Sequence, residues 1–233
     1  MDFLRVHQIR GDQPLNPDFQ AVIAASDAER RDLFLGTAAR LGTAVQNIEK
    51  DFWVCWTLDA LFNGLTAGGP RLLFKGGTSL SKAFGLISRF SEDIDITVFR
   101  DDLGQKADVA ELDALSGKKR RARLDAIRMA CQRYIAGPLF EQFNQLAASI
   151  IPTARYRLEI DPEDKDGQTL LFWYPTVTAS VGDYIRSAVK IESGAKSALD
   201  PHIATTIHPY VAEDVSGLNR QVTNITTVKP ERT

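Results

Sequence analysis

The sequence contains few of the residues that build disulfide frameworks or zinc sites. Only two cysteines and three histidines occur among its 233 residues. The histidines are scattered, and both cysteines, Cys55 and Cys131, lie in apolar helical patterns. We therefore expect neither a disulfide framework nor a zinc cluster, and we predict that both cysteines are core residues.

A long apolar segment and a surplus of positive charge are lacking as well. No apolar run approaches the roughly 20 residues of a membrane-spanning helix, and the N-terminal residues have neither the apolar block nor the cleavage site of a signal peptide. We expect a cytoplasmic protein with no membrane partner. The formal net charge is −2, so the chain has no overall positive field for a polyanion, which must be held locally.

The order of helical and strand patterns predicts the fold class. Apolar residues make up 44% of the chain, which is enough for a substantial core. Residues 26–27 predict a helix break with a new N-cap, and Gly137 with Pro138 predicts an interruption. The predicted elements are helices 19–41 and 47–62, strand 71–74, a helix from about residue 78, strand 92–99, helix 118–149, and strands 154–160, 168–175, 184–192 and 221–228. This order predicts an α+β fold with a mixed sheet, in which a helical part, 1–65, packs on a core, 66–233.

Two aspartates stand close together in one predicted strand. The segment from Lys75 to Arg100 reads KGGTSLSKAFGLISRFSEDIDITVFR. Alternate side chains of a strand share a face, so Asp93 and Asp95 would stand side by side. Two such carboxylates repel each other unless a cation lies between them, and Mg²⁺ prefers oxygen ligands and keeps waters for a phosphate. The pair predicts a magnesium site, and the alternative is an edge strand with a solvated acidic face.

A glycine pair precedes the predicted helix. Gly76 and Gly77 would let the backbone approach a ligand, and a helix that begins near Thr78 or Ser79 would direct free N–H groups at an anion. The spacing differs from that of a Walker A loop, which places Gly-Lys next to Ser or Thr. A phosphate-binding turn beside a metal site is the layout for nucleotidyl transfer.

The stretch from Phe74 to Val98, together with IEKDFWVCWTL from Ile48 to Leu58, resembles a known enzyme family. It is similar to the AbiEii/AbiGii toxin family of nucleotidyltransferases, a branch of the DNA polymerase β-like superfamily found in bacterial abortive-infection and type IV toxin–antitoxin systems. The resemblance implies a polymerase β-like core, Mg²⁺, a nucleoside triphosphate substrate, the 3′ end of tRNA as acceptor and a cognate antitoxin.

The resemblance also implies roles for particular residues. Asp93 and Asp95 would bind Mg²⁺. One departure is the spacing of fifteen residues between Gly77 and Asp93, which is longer than in the wider superfamily. We also expect the family's C-terminal helical segment, which would follow Thr233, to be absent. The nucleotide-binding residues would be Gly76, Gly77, Thr78, Ser79, Lys82 and Ser91.

A later strand, SAVKIESGAK, offers a cation and a third carboxylate. Lys190 and Glu192 would share one face and could meet the two aspartates across the sheet. Lys190 would neutralise the triphosphate, and Glu192 would complete the metal site or accept a proton. The family has a lysine in a comparable strand, which favours Lys190. The alternative is a plain amphipathic strand, and weaker candidates for the third carboxylate are Glu159, Asp161 and Asp214.

The only dense basic run, KKRRAR, begins at Lys118. Its residues Lys118, Lys119, Arg120 and Arg121 could bind the phosphates of an RNA acceptor or could form a solvated helix face. The aromatic residues 172–174 could stack on a base, but we expect them to pack in the core.

These patterns together predict a function. We expect a Mg²⁺-dependent nucleotidyltransferase that moves a nucleoside monophosphate to an acceptor hydroxyl, at the 3′ end of tRNA, and that acts as a toxin. One alternative is a small-molecule acceptor, as in antibiotic nucleotidyltransferases. Another is a catalytically silent module that binds a nucleotide or a protein, although intact Ser91, Asp93 and Asp95 count against it.

Overall fold

The helices precede and connect the strands of one sheet. The computed structural model describes residues 15–88, 90–91, 93–107, 109–179, 186–197, 199–214 and 221–233. The α-helices of this part of the chain are α1 (Pro17–Ala24), α2 (Asp27–Leu41), α3 (Val45–Asp59), α4 (Gly76–Lys82), α5 (Val109–Ala114), α6 (Gly117–Tyr134) and α7 (Phe140–Ile150).

The strands form a single mixed sheet. They are β1 (Leu72–Lys75), β2 (Asp93–Val98), β3 (Arg157–Ile160), β4 (Thr169–Trp173), β5 (Ala188–Gly194), β6 (His202–Ile207) and β7 (Val222–Val228). Their order across the sheet is β3-β4-β5-β2-β1-β7-β6. The pairs β2 with β5 and β1 with β7 are parallel, and the other neighbours are antiparallel. The predicted α+β fold with a mixed sheet is confirmed.

Local signals set the helix ends where the sequence predicts them. The Ser26 hydroxyl accepts a hydrogen bond from the N–H of Glu29, whose carboxylate accepts one from the N–H of Ser26, so a capping box begins α2. The predicted interruption is a π-helical turn, Ile135–Leu139, which contains Pro138 and separates α6 from α7.

Helix α3 is buried around most of its circumference. Trp53 and Trp56 are fully buried, and their rings lie 5.9 and 5.2 Å from the ring of Phe172 in β4. The charged Asp51 is buried too, and it accepts a hydrogen bond of 2.7 Å from the N–H of Tyr210. The helix therefore fixes neighbouring segments through polar contacts as well as through apolar packing.

The two faces of the sheet differ in character. On β2, Ile94 and Ile96 are fully buried in the main core, beside Ile191 of β5. Because side chains alternate, the residues between them point to the opposite face. Helix α3 lies on the apolar face, so the polar face of the central strands remains available for a site.

Three elements differ from the sequence-based predictions. Helix α4 begins at Gly76 rather than near Thr78, so the glycine pair forms its first turn. Helix α5 and the strand β6 were not predicted, because α5 has only six residues and β6 has only one buried position, Ile207. Neither carries the apolar periodicity on which such predictions depend.

The cysteine prediction is confirmed. Cys55 and Cys131 are both fully buried and free. Burial raises the pKa of the Cys131 thiol to about 12 and also raises that of Cys55, so neither is a ready nucleophile. Within the residues that the structure describes, no helix is long and apolar enough to cross a membrane.

Candidate active site

Strands β2 and β5 bring four predicted site residues together. Their parallel register pairs Asp93 with Lys190 and Asp95 with Glu192. All four lie on the polar face, and Lys190 Nζ is 2.5 Å from a carboxylate oxygen of Glu192. The predicted meeting of the two residue pairs is therefore seen in the structure, while their catalytic roles stay predictions.

A fifth residue, Lys75, was missed by the sequence interpretation. The antiparallel register of β1 with β2 places Lys75 opposite Asp95, and its Nζ lies 3.8 Å from Asp95 Oδ1. The signal was present in the sequence, because this lysine lies between the predicted strand 71–74 and the glycine pair, and the structure extends β1 to include it. It could not be used without knowing that β1 is the neighbour of β2.

Gly76 makes the closest backbone approach in the site. Its backbone φ is +78°, a value that residues other than glycine rarely adopt. A Cβ at this position would lie 1.9 Å from Asp95 Oδ2. No other residue fits here without moving the carboxylate. Gly76 therefore leaves the space that the Asp95 carboxylate occupies, whatever it contributes to nucleotide binding.

Thr78 and Ser91 connect α4 to the start of β2. The fully buried Thr78 hydroxyl donates a hydrogen bond to the carbonyl of Asp93 and lies 2.8 Å from Ser91 Oγ. Ser79, also buried, donates from its hydroxyl to the carbonyl of Gly76 at 2.8 Å. Since these hydroxyls already have internal partners, their described contacts hold the strand and the turn in place.

Lys82 lies in a buried ion pair. Its ammonium group contacts the carboxylate of Asp51 in α3, donates to the carbonyl of His208 at 3.0 Å, and lies 3.7 Å from the ring centre of Tyr210. Burial alone would lower the pKa of Lys82, but the adjacent carboxylate raises it on balance. These contacts anchor α4 to α3 and to segment 208–210.

The charges of the site are only partly balanced. Burial raises the pKa of Asp95, Glu192 raises it further, and Lys75 and Lys190 offset part of the effect. The hydrogen bond to Glu192 raises the pKa of Lys190. A further cation beside Asp95 and Glu192 would stabilise the charged form of Asp95.

A cavity of about 430 Å³ opens beside Lys190 and Glu192. Five of its nine lining residues are acidic, so an anionic ligand in it would need cations for balance. It is lined by Asp161, Glu163, Asp164, Asp166, Gln168, Thr169, Lys190, Glu192 and Ser193.

The weaker candidates for a third carboxylate occupy different places. Asp161 lines the cavity. Glu159 accepts a hydrogen bond of 2.7 Å from the indole N–H of Trp173. Asp214 lies away from this face, where it accepts hydrogen bonds from Thr37 and Arg40 of α2.

The basic and aromatic runs are also separate from the aspartate pair. The four residues Lys118–Arg121 are exposed in the first turns of α6, and Arg120 pairs with Asp113 at 3.1 Å. Phe172 and Tyr174 are buried as predicted. For Trp173 the core prediction is wrong, because it points to the polar face and is only partly buried.

The oxygen donors of the site lie mainly on one strand. Among the residues that the structure describes, no three histidine, cysteine or acidic side chains are close enough together to hold an ion. Asp93 and Asp95 nevertheless supply oxygen donors on one strand face, with Glu192 opposite Asp95. A hard cation that takes two protein oxygens and keeps its remaining positions for water and phosphate fits such a set.

Comparison with known proteins places the chain in a family. Residues 59–233 match the family model described as the nucleotidyl transferase AbiEii toxin of type IV toxin–antitoxin systems. The chain belongs to this family of nucleotidyltransferase toxins, as its resemblance predicted. The similar stretch from Ile48 to Leu58 lies outside the matched residues. A comparison with curated proteins gives no match.

A comparison with solved structures gives a partial structural similarity. The similar protein is MenT4, a nucleotidyltransferase toxin from Mycobacterium tuberculosis H37Rv, with a TM-score of 0.45 and 15% sequence identity. The similarity covers 89% of this chain and 56% of MenT4. The chain thus spans little more than half the length of that toxin.

Proposed function

We propose that this chain is a Mg²⁺-dependent nucleotidyltransferase that transfers a nucleoside monophosphate from a nucleoside triphosphate to an acceptor hydroxyl. The observation that carries the proposal is the register of β2 and β5, which sets Asp93 and Asp95 beside Lys190 and Glu192 on one face. Membership of the AbiEii family supports it. Fold and family membership would not be sufficient without the site, because function resides in the site.

Asp93 and Asp95 are the proposed magnesium ligands, with Glu192 as the third carboxylate. Mg²⁺ bound there would neutralise charge on the phosphates and on the acceptor oxygen. Burial and the neighbouring Glu192 raise the pKa of Asp95, so a cation beside this carboxylate would stabilise its charged form, which supports the assignment.

Lys190 is the proposed triphosphate contact. In the structure its ammonium group is bound to Glu192 at 2.5 Å. A phosphate oxygen would replace the Glu192 carboxylate as the partner of this ammonium group, because it accepts the same charge-assisted hydrogen bond. The carboxylate of Glu192 would then be released to accept the proton of the acceptor hydroxyl or to bind the metal.

We propose positioning roles for the buried residues of α4. Thr78 holds the carbonyl of Asp93 and the hydroxyl of Ser91, while Lys82 holds α4 against α3. The nucleotide would then be met by the backbone at Gly76 and Gly77 rather than by these side chains. Gly76 also leaves room for Asp95, since any Cβ there would displace the carboxylate.

The proposed acceptor is RNA, at the 3′ end of tRNA, which is the acceptor that the family resemblance implies. The same proposal includes action as a toxin, a cognate antitoxin as partner, and a cytoplasmic location, where nucleoside triphosphates and RNA are present. Membership of a type IV toxin–antitoxin family supports the toxin role and the antitoxin partner.

A labelling experiment tests the proposed function. The protein is incubated with Mg²⁺, total bacterial RNA and each of the four nucleoside triphosphates in turn, labelled at the α-phosphate. We expect a labelled band of tRNA size with at least one nucleotide and none with the Asp93→Asn variant. If no nucleotide labels any RNA, the proposed RNA acceptor is wrong, and label on a small molecule would support the antibiotic type of enzyme.

Replacing Lys190 with glutamine is expected to weaken triphosphate binding. A hydrogen bond to a charged group contributes about 1.5–3 kcal/mol, which corresponds to a roughly 10- to 150-fold rise in Kd. Calorimetric titration of the triphosphate measures it. Lys165→Gln, on the exposed turn that adjoins the cavity, removes the same charge and is expected to leave the affinity nearly unchanged. Equal affinities for both variants would assign Lys190 to a solvated strand face.

A further inference from the structure

Trp173 lies on the same face of the sheet as the candidate active site. On β4, Leu171 pairs with Lys190 and Trp173 pairs with Ala188, at the N-terminal end of β5. Alternation places both of these β4 side chains on the polar face. Trp173 is therefore the next residue beyond Leu171 on that face, in the direction that leads away from Glu192.

Two arginines and a glutamate surround this indole. The guanidinium carbons of Arg157 and Arg186 lie 4.7 and 5.7 Å from the ring centre of Trp173. Glu159 accepts the indole N–H at 2.7 Å and pairs with Arg157 at 3.2 Å. We call these four residues the Trp173 cluster. It carries two positive charges and one negative charge, in a chain whose net charge is −2.

The arginines of the Trp173 cluster are exposed, and buried residues hold the cluster in position. The Arg157 side chain is 60% exposed, and Arg186 is exposed. Behind them, the buried Lys50 of α3 donates a hydrogen bond of 3.1 Å to the carbonyl of Arg186. The sheet holds Trp173 itself, because its neighbour Phe172 is fully buried on the opposite face. An aromatic ring held on a strand, together with the guanidinium planes that lie over it, is a preorganised stacking surface.

We propose that the Trp173 cluster binds the single-stranded end of an RNA acceptor. The inference rests on the proposed function, which requires such an acceptor. Bases stack on aromatic rings or on guanidinium planes, and every base has a face for this contact. The two guanidinium groups bind adjacent phosphates, each with several donors. The cluster therefore recognises a nucleic-acid strand without dependence on its sequence.

The position of the cluster suits an acceptor. Trp173 lies two residues along the strand direction and two strands across from Asp93. With about 3.3 Å per residue and about 4.8 Å between strands, this separation is roughly 12 Å. An RNA strand whose base stacks on Trp173 can therefore direct its terminal hydroxyl at the aspartates.

The basic run of α6 lies towards the other end of the strands. Arg123, the last residue of that run, donates to the carbonyl of Lys106 beyond the C-terminal end of β2. Trp173 is paired instead with Ala188, the first residue of β5. The exposed residues Lys118–Arg121 are therefore the rival surface for RNA, and the two surfaces can be separated by mutation.

Tryptophan fluorescence provides a direct test. The chain has three tryptophans, and Trp53 and Trp56 are fully buried, so a stacked base is expected to quench Trp173 alone. The probe is a short single-stranded RNA with a 3′ hydroxyl, added without metal or triphosphate. We expect RNA to quench the emission of the parent and to leave the emission of Trp173→Phe unchanged. Equal quenching of both proteins would overturn the proposal.

Affinity measurements test the arginines. The Arg157→Gln/Arg186→Gln variant is expected to bind the same RNA, followed by fluorescence anisotropy, about tenfold more weakly or worse. Its slope of log affinity against log salt is expected to be less steep by roughly 1.4. Lys118→Gln/Lys119→Gln removes the same charge from the rival surface and is expected to leave both quantities nearly unchanged. The reverse pattern would assign RNA binding to α6.

The outcomes also separate this inference from the proposed function. If RNA quenches Trp173 but no nucleotide is transferred, the cluster is an RNA site and the proposed activity is wrong. If label is transferred to RNA and the KM for RNA is the same in the parent and the arginine variant, the activity stands and the cluster is wrong. Matched melting curves for the parent and the variants exclude loss of fold as the cause of weaker binding.

Discussion

Asp95→Asn is expected to lower nucleotidyl transfer by about 100-fold or more and yet to melt no lower than the parent protein in the presence of a chelator. The loss of activity follows from the removal of an electrostatic contact that acts in the transition state. The retained stability follows from the environment of Asp95. Burial and Glu192 raise its pKa, so the charged carboxylate is unfavourable in the folded protein when no metal is bound.

The pH dependence of stability follows from the same shift. Because the pKa of Asp95 is higher in the folded protein than in the unfolded chain, ionisation of this group costs stability at neutral pH. The cost falls as the pH drops through the raised pKa and is absent below the unfolded value. Asp95→Asn should thus be at least as stable as the parent at pH 7, and the difference should vanish in acid.

Melting curves and transfer assays on the same preparations measure both effects. Mg²⁺ with a triphosphate should raise the melting temperature of the parent, because a ligand that binds only the folded state stabilises it, and should raise that of Asp95→Asn much less. Asp102→Asn removes a carboxylate that pairs with Arg71 outside the site and serves as the control for activity. A variant that melts well below the parent in chelator would make Asp95 a structural residue.

Lys82→Ala is expected to destabilise the fold by about 3–5 kcal/mol, because removal of one partner leaves a buried charge uncompensated. Its partner Asp51 is 2% exposed and, within the part of the chain that the structure describes, would keep only the backbone N–H of Tyr210 as a hydrogen-bond donor. Burial already raises the pKa of Asp51. Without Lys82 this carboxyl would bind a proton more readily, so the loss of stability should be largest at neutral pH and smaller in mild acid.

Urea unfolding at two pH values measures this effect. Lys118→Ala, which removes an exposed lysine from the first turn of α6, is the control and should change stability by less than about 0.5 kcal/mol. The double variant Asp51→Asn/Lys82→Met removes both charges and keeps an acceptor for the Tyr210 N–H, so it should recover much of the loss. If Lys82→Ala instead keeps its stability and loses triphosphate affinity, Lys82 is a phosphate contact and our structural assignment is wrong.

Helix α3 connects the site to the rest of the protein. Asp51 holds Lys82 of α4, which carries the glycine pair, and Lys50 holds the backbone of Arg186 in the Trp173 cluster. Both residues belong to the stretch IEKDFWVCWTL, where the buried charged residues Glu49, Lys50 and Asp51 interrupt an apolar helix. Charged residues are accommodated there because each has a defined partner. Asp51 contacts Lys82, and Lys50 donates to the carbonyl of Arg186.

Several features follow from the sequence alone. The period of two in a strand is enough to place Asp93 with Asp95, and Lys190 with Glu192, whatever the surrounding fold. The capping box at Ser26 and the interruption at Pro138 are likewise local, because they depend on residues within one turn of helix. The candidate site was therefore largely predictable as two separate pairs of residues.

The tertiary structure alone decided how these pairs meet. The register of β2 with β5, the contact of Gly76 with Asp95, and the ion pair of Lys82 with Asp51 all join segments that are distant in the sequence. Such contacts depend on the order of strands in the sheet, which local periodicity does not specify. The same reason explains Trp173: its neighbours in the sequence are core residues, and only the sheet shows that it lies on the same face as the aspartates.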